Sequence, residues 1–194
     1  ENGAIFVADT GNHAIRQIFE GKVTTIAGGK TPGYMDGKGI DASFYSPSSI
    51  VIDNAGNLLV ADTRNDVIRK IDLEARVTTY AGKNNDNSIL NEPVGLAIDN
   101  EGNLLVVDSG NHQLKKITSQ GRIEVLAGIL GEIDEESGYR IGRYEDGLLG
   151  RAAFNFPKSI TLKDDGTIFL ADTYNHAIRM IKGEEVATVM GAGV

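Results

Sequence analysis

An eleven-residue pattern occurs four times in this chain, and no other feature restricts its possible folds as strongly. The copies are Ala8-Asp9-Thr10-Gly11-Asn12-His13-Ala14-Ile15-Arg16-Gln17-Ile18 and the matching stretches at 61–71, 107–117 and 171–181. Each copy begins its polar part with an aspartate: Asp9, Asp62, Asp108 or Asp172. An asparagine follows three residues later (Asn12, Asn65, Asn111, Asn175), and a cation four residues after that (Arg16, Arg69, Lys115, Arg179). His13, His112 and His176 directly follow the asparagine, whereas the second copy carries Asp66 there.

The neighbours of each copy recur as well. Pro47, Pro93 and Pro157 each open an alternating segment, with Ile50 and Ile52, Leu96 and Ile98, and Ile160 and Leu162 on one side. Period-two alternation predicts a strand. Asn/Asp/Gly-rich stretches at 53–57, 100–103 and 164–167 then predict hairpin turns. Their acidic character also raises calcium, but the spacing is not that of the twelve-residue calcium loop. Continuous apolar runs follow at 58–61, 104–107 and 168–171, which implies a strand covered on both faces. The motif turns this strand into a third, and a Thr/Val-rich fourth closes each unit at 23–28, 77–82, 123–128 and 186–191. Such a four-stranded meander cannot bury both its faces alone. Radial stacking of units of about 45 residues does so, which is the β-propeller solution.

The Asp-Thr-x-Asn-His-x-Ile-Arg-x-Ile core, with the upstream Pro-x-x-Ile and Gly-Asn-Leu, resembles the NHL repeat. The resemblance covers essentially the whole chain apart from the long loops; the second copy departs from the motif, with Asp66 where the histidine would stand. It implies an all-β propeller of four-stranded antiparallel blades, about four of them in this chain, within a ring that in this family usually has six. Residues 1–194 are read as one propeller domain or fragment, with blades at about 1–28, 47–82, 93–128 and 157–191 and loops at 29–46, 83–92 and 129–156. Glu1 to Ala4 align with the end of a hairpin turn, so the first blade lacks its innermost strand. Blade faces left open in this way would invite self-association.

Composition narrows the function. The net charge is −8, against a dominant phosphate-binding surface, so a nucleic-acid partner is disfavoured. No cysteine is present, hence no disulfide frame and no thiolate metal site. No apolar run reaches the roughly 18 residues of a membrane span. A Cys-free acidic repeat chain with loops of bacterial NHL type is expected to be extracellular or at the cell surface.

Antiparallel order puts the motif turns and the inter-blade loops on one face. Two of those loops are long and alike: Tyr34, Asp36, Ala42 and Phe44 match Tyr144, Asp146, Ala152 and Phe154 at a constant offset. Recurrence implies that these residues dock each loop on its blade. Function belongs in what differs, and the extra residues at 130–140 contain an acidic run with Glu132, Asp134, Glu135 and Glu136. The candidate ligand-binding residues on the two long loops are Tyr34, Asp36, Glu132, Asp134, Tyr139, Arg140, Arg143 and Tyr144, through ion pairing and stacking. The three histidines could converge on a metal only if they pointed down one axis. Copied into successive blades with Asp, Asn and a cation, they read instead as a structural network, and no metal or cofactor is expected. No nucleophile elbow, phosphate loop or zinc helix occurs. The leading expectation is a non-catalytic binding or scaffold module for a protein, peptide or glycan. The alternative implied by related six-bladed propellers is a lyase or lactone hydrolase with an axial metal. The first strands here would offer that axis Ser48, Ser49, Asp53, Asp99, Lys158, Ser159 and Lys163, but no histidine.

Overall fold

The computed structural model of the protein describes residues 3–82 and 90–191. Strands joined by tight turns and single-turn 3₁₀ helices account for all of its regular structure. The chain divides into two compact units, residues 1–89 and 90–194.

In the first unit, β1 (Ile5–Asp9), β2 (Ala14–Phe19) and β3 (Lys22–Gly28) form an antiparallel sheet in that order. The second sheet contains β4 (Gly37–Lys38), β5 (Pro47–Ile52), β6 (Leu58–Asp62), β7 (Val67–Ile71) and β8 (Arg76–Gly82), ordered β4-β8-β7-β6-β5. In the second unit, β9 (Pro93–Ile98), β10 (Leu104–Asp108), β11 (Gln113–Ile117) and β12 (Ile123–Ala127) form a four-stranded meander. Its other sheet contains β13 (Gly147–Leu148), β14 (Pro157–Leu162), β15 (Ile168–Asp172), β16 (Ala177–Lys182) and β17 (Glu185–Met190), ordered β13-β17-β16-β15-β14.

Two sheets thus exceed the expected four strands. The extra strands come from the long loops: Gly37 and Lys38 pair with Val77 and Arg76, and Gly147 and Leu148 with Val186 and Glu185. The closing strand of a meander leaves a row of unpaired backbone groups, and a loop that must lie beside it covers part of that row.

The continuous apolar runs became the central strands, and every residue of β6 and β10 is buried. Within the first unit, Ile15, Ala27, Val60 and Ile71 from two sheets close over Ala42 and Phe44 of the long loop. Within the second, Leu105, Leu114, Leu170 and Ile181 close over Ala152 and Phe154. Phe44 and Phe154 are 0% and 1% exposed; burying each ring stabilises its unit by about 1.5–3 kcal/mol. Gly28 and Gly128 let these rings in. Both have positive φ (+77° and +98°), and a Cβ on either would sit within 3.0 Å of the phenylalanine Cδ2 and of a motif carbonyl oxygen.

The motif turns are 3₁₀ turns ending on a left-handed residue. His13, Asp66, His112 and His176 have φ of 54°, 58°, 56° and 50°. Asn, Asp and His tolerate this conformation better than other side chains. The requirement accounts for Asp66, where the sequence departs from the motif but the backbone does not.

Candidate functional site

The motif aspartates organise each blade's end. Asp62 accepts hydrogen bonds from Asn65 Nδ2 (2.8 Å), Arg69 Nη1 (3.0 Å) and the Tyr45 N–H (2.7 Å). Asp108 does the same with Asn111 (2.8 Å), Lys115 Nζ (2.6 Å) and the Asn91 N–H (2.6 Å). Asp172 takes Asn175 (2.8 Å), Arg179 (2.6 Å) and the Asn155 N–H (2.7 Å). One carboxylate therefore ties its own turn, the third strand and the segment leading into the first strand. Burial pushes the Asp62 and Asp108 carboxyls above their ordinary range, against the pull of these donors and of Arg69 and Lys115. Such fully buried pairs are costly to break by removing one partner. In the first sheet, Asn12 donates to both Asp9 oxygens (2.9 and 3.0 Å) and Arg16 stands 3.7 Å away.

The histidines act differently from the Asp–Asn–cation set. His13 Nδ1 accepts the Ser46 N–H (3.1 Å) and His112 Nδ1 accepts the Phe156 N–H (2.9 Å). Each thus latches its sheet to the segment entering the following sheet of the same unit. Because a backbone N–H only donates, His112 carries its proton on Nε2, which donates to the Arg140 carbonyl (2.7 Å). Burial lowers the His112 pKa from its ordinary value, against the pull of that carbonyl and of Asp172. His176 is exposed. Among the described residues, no group of three or more His, Cys, Asp or Glu side chains is placed to hold a metal ion. The turn aspartates serve backbone closure: Asp53 accepts the Ala55 and Asn57 N–H groups and Asp99 those of Glu101 and Asn103.

Tyr34, Asp36 and Tyr144, candidates for ligand binding, hold the long loops in place. Asp36 accepts from Arg69 Nη2 (2.7 Å) and from the Thr79 N–H and hydroxyl (both 3.2 Å). Arg69 also donates to the Met35 and Ser43 carbonyls, and its guanidinium lies 5.1 Å from the Tyr34 and Phe44 ring centres. The Tyr34 hydroxyl is 2.8 Å from that of Thr79. The second long loop repeats the arrangement. Asp146 binds Arg179 Nη2 (2.7 Å) and the Thr188 N–H (3.0 Å) and hydroxyl (3.1 Å), with Tyr144 on Thr188 (2.9 Å). Burial works to raise the Asp146 carboxyl, but the Thr188 and Arg179 donors outweigh it and hold it below its ordinary value.

The remaining candidates lie on or beside the extra residues of the 129–156 loop. Ile133 bridges to Arg140 as a small hairpin. Asp134 closes its tip by accepting the Ser137 hydroxyl (2.7 Å) and N–H (2.8 Å), which lower its pKa. Arg140 donates to the Gly131 carbonyl (2.8 Å) and to Asn111 (3.3 Å), so it anchors the hairpin rather than facing outward. Glu132 and Arg143 have exposed side chains. Tyr139 joins an aromatic group assembled from separate segments. Phe156 lies at its centre, with ring centres 4.6 Å from His112, 5.0 Å from Tyr174 and 5.9 Å from Tyr139. Lys158 Nζ stands 5.6 Å from the same ring. Tyr139 is 40% and Tyr174 58% exposed, so the group presents an aromatic surface with a cation at its margin.

Phe156 and Tyr174 were legible as the places where the repeat does not repeat. Tyr174 takes the variable motif position held elsewhere by Gly11, Arg64 and Gly110, and Phe156 the pre-proline position of Ser46 and Glu92.

Repeated antiparallel sheets of this topology define a β-propeller protein, and solved structures agree. The chain superposes on virginiamycin B lyase from Staphylococcus aureus with a TM-score of 0.62 at 18% identity, covering 97% of this chain and 52% of that one. An auxiliary nutrient binding protein from Bacteroides thetaiotaomicron matches with a TM-score of 0.67 at 16% identity, over 97% of this chain and 46% of that one. The chain spans about half the length of these structures, and the likeness shows the fold. The NHL repeat family matches residues 90–117. NHL repeat-containing protein 2 of Bos taurus is 45% identical over 80 residues, 40% of this chain and 11% of that protein, so the matched stretch is a small part of this relative. The chain thus carries an NHL repeat at residues 90–117 and is similar to NHL repeat-containing protein 2 over 80 residues.

Proposed function

We propose that this chain is a non-catalytic binding module that takes a peptide or glycan on the aromatic surface formed by Tyr139, Phe156 and Tyr174. The observation that carries this reading is the contrast between the two long loops. The residues they share are engaged internally, whereas the additional residues of the 129–156 loop bring an exposed tyrosine beside Phe156. Flat aromatic faces with a nearby cation suit stacking on a sugar ring or on an aromatic side chain, with few rotatable bonds to order. A lyase or lactone hydrolase reading rests on likeness of fold, which hosts many unrelated chemistries.

The test uses a phage-displayed peptide library and a glycan array probed with wild-type protein and with a Tyr139→Ala/Tyr174→Ala double variant. Tyr139 and Tyr174 are both exposed, so the variant should melt within a few degrees of wild type. Binders selected on wild type should weaken at least about tenfold on the variant, the loss of one or two stacking contacts. Equal binding to both proteins would overturn the assignment.

A further inference from the structure

The first sheet carries an open cleft that shares no residue with the aromatic surface at Phe156. In the sheets that carry long loops, three residues receive the incoming segment. They are the motif Asn, the motif Arg and a Thr on the closing strand directly opposite that Arg. Asn65, Arg69 and Thr79 hold residues 33–36, with Arg69 and Thr79 paired in register. Asn175, Arg179 and Thr188 hold residues 143–146, again with Arg179 and Thr188 paired. In both, Arg and Thr together grip one aspartate, and the Thr accepts or meets the hydroxyl of a tyrosine two residues before it.

The set is not a passive consequence of the repeat. The third sheet has Lys115 opposite Val125, so it lacks both the forked guanidinium and the hydroxyl. The first sheet has the complete set, with Arg16 paired in register with Thr25 and Asn12 at the motif position. These three residues line an open cleft of about 400 Å³, completed by Gly28, Lys30 and Ile40. The Arg16 side chain is 31% exposed and pairs with Asp9 at 3.7 Å, whereas Arg69 and Arg179 are 0% exposed and each bridges two carboxylates at 3.0 Å or less. The other edge strand features match too. Val23 occupies the register position of Val77, which pairs with Gly37, and it is 56% exposed.

We infer that the Asn12–Arg16–Thr25 cleft binds an extended polypeptide segment of the Tyr-x-Asp-Gly pattern, its aspartate gripped by Arg16 and Thr25 and its backbone extending β3. The chemistry is explicit in the two internal examples. A planar guanidinium suits a carboxylate, an amide and hydroxyl on the closing strand complete it, and the glycine after the aspartate lets the backbone turn onto the strand edge. Lys30 adds a second cation at the rim for an acidic segment. A polypeptide is preferred over a free anion because the same three residues elsewhere also take a main-chain carbonyl, on Asn65 and Asn175.

The probe is a synthetic peptide of residues 33–45 of this sequence, titrated by calorimetry into the 194-residue protein and into Arg16→Met and Thr25→Val variants. Arg16 is partly exposed and valine stands naturally at the Thr25 position of the third sheet, so both variants should melt within a few degrees of wild type. Saturable binding to wild type is expected. It should weaken about tenfold or more with Arg16→Met, and also when the peptide carries Asn in place of its first Asp, the loss of one charge-assisted contact. Absence of saturable binding up to about 1 mM, the scale of one weak contact set, would overturn the inference. So would equal binding to Arg16→Met. Displacement of the peptide by an equal concentration of N-acetyl-aspartate amide would also overturn it, because the cleft would then be reading the anion alone.

Discussion

Replacing His112 with alanine tests the latch between the two sheets of the second unit. The side chain is 1% exposed and holds the Phe156 N–H on Nδ1 at 2.9 Å and the Arg140 carbonyl on Nε2 at 2.7 Å. Alanine leaves both backbone groups without that partner, at about 1–3 kcal/mol each, and removes the edge-to-face contact with Phe156. Partial collapse and water entry offset some of this, so about 3 kcal/mol is expected. For a unit of roughly 100 residues that corresponds to about a 12 °C lower melting temperature, read by circular dichroism. His176→Ala, at the same motif position but exposed, loses no such contacts and should cost about 1 kcal/mol, the backbone cost of alanine at a positive φ that both variants share. A pH series sharpens the test. The folded imidazole is held neutral and its pKa lowered, while the unfolded one titrates near about 6.5. Below that pH the unfolded state binds more protons, so wild-type stability should be full above about pH 7 and fall as the pH drops through about 6.5. The His112→Ala variant should lose that part of the acid slope. Equal destabilisation by the two alanine substitutions, or an unchanged acid slope, would refute the latch.

Two further outcomes follow from the same geometry. Arg69→Met strands the fully buried Asp62 carboxylate and should cost about 3–5 kcal/mol in urea denaturation, whereas Arg16→Met, beside a part-exposed Asp9, should cost no more than about 1 kcal/mol. Gly28→Ala puts a Cβ 2.6 Å from the His13 oxygen and 2.7 Å from Phe44. It should destabilise by about 2–3 kcal/mol more than Gly21→Ala, which shares the positive φ but meets nothing within 4 Å.

Much of the architecture was legible because a repeat states the same local rule four times. Alternation, turn residues and the continuous apolar runs each name a strand, and their order names an antiparallel meander. The repeated Asp, Asn and cation were equally legible as internal partners, since a buried carboxylate requires donors wherever it occurs. The short strands β4 and β13 were not, because Gly-Lys and Gly-Leu carry no strand pattern of their own. They exist because the adjoining strand has an edge to cover.

The repeat thus specifies the unit: its strands and the polar triad that closes it. Those properties are local, and backbone sterics and hydrophobic period decide them within about a dozen residues. Which side chains meet across longer separations is set by the packing of the sheets and loops. Tyr34 and Asp36 reach Thr79, so residues that look like a binding site are loop anchors. Phe156 brings His112, Tyr139 and Tyr174 together from three separate segments, and no one of those segments shows an aromatic cluster. The Arg16–Thr25 pair depends on strand register, which a sequence pattern expresses only once the pairing of β2 with β3 is known. Packing, unlike propensity, is a property of distances between residues far apart in the chain.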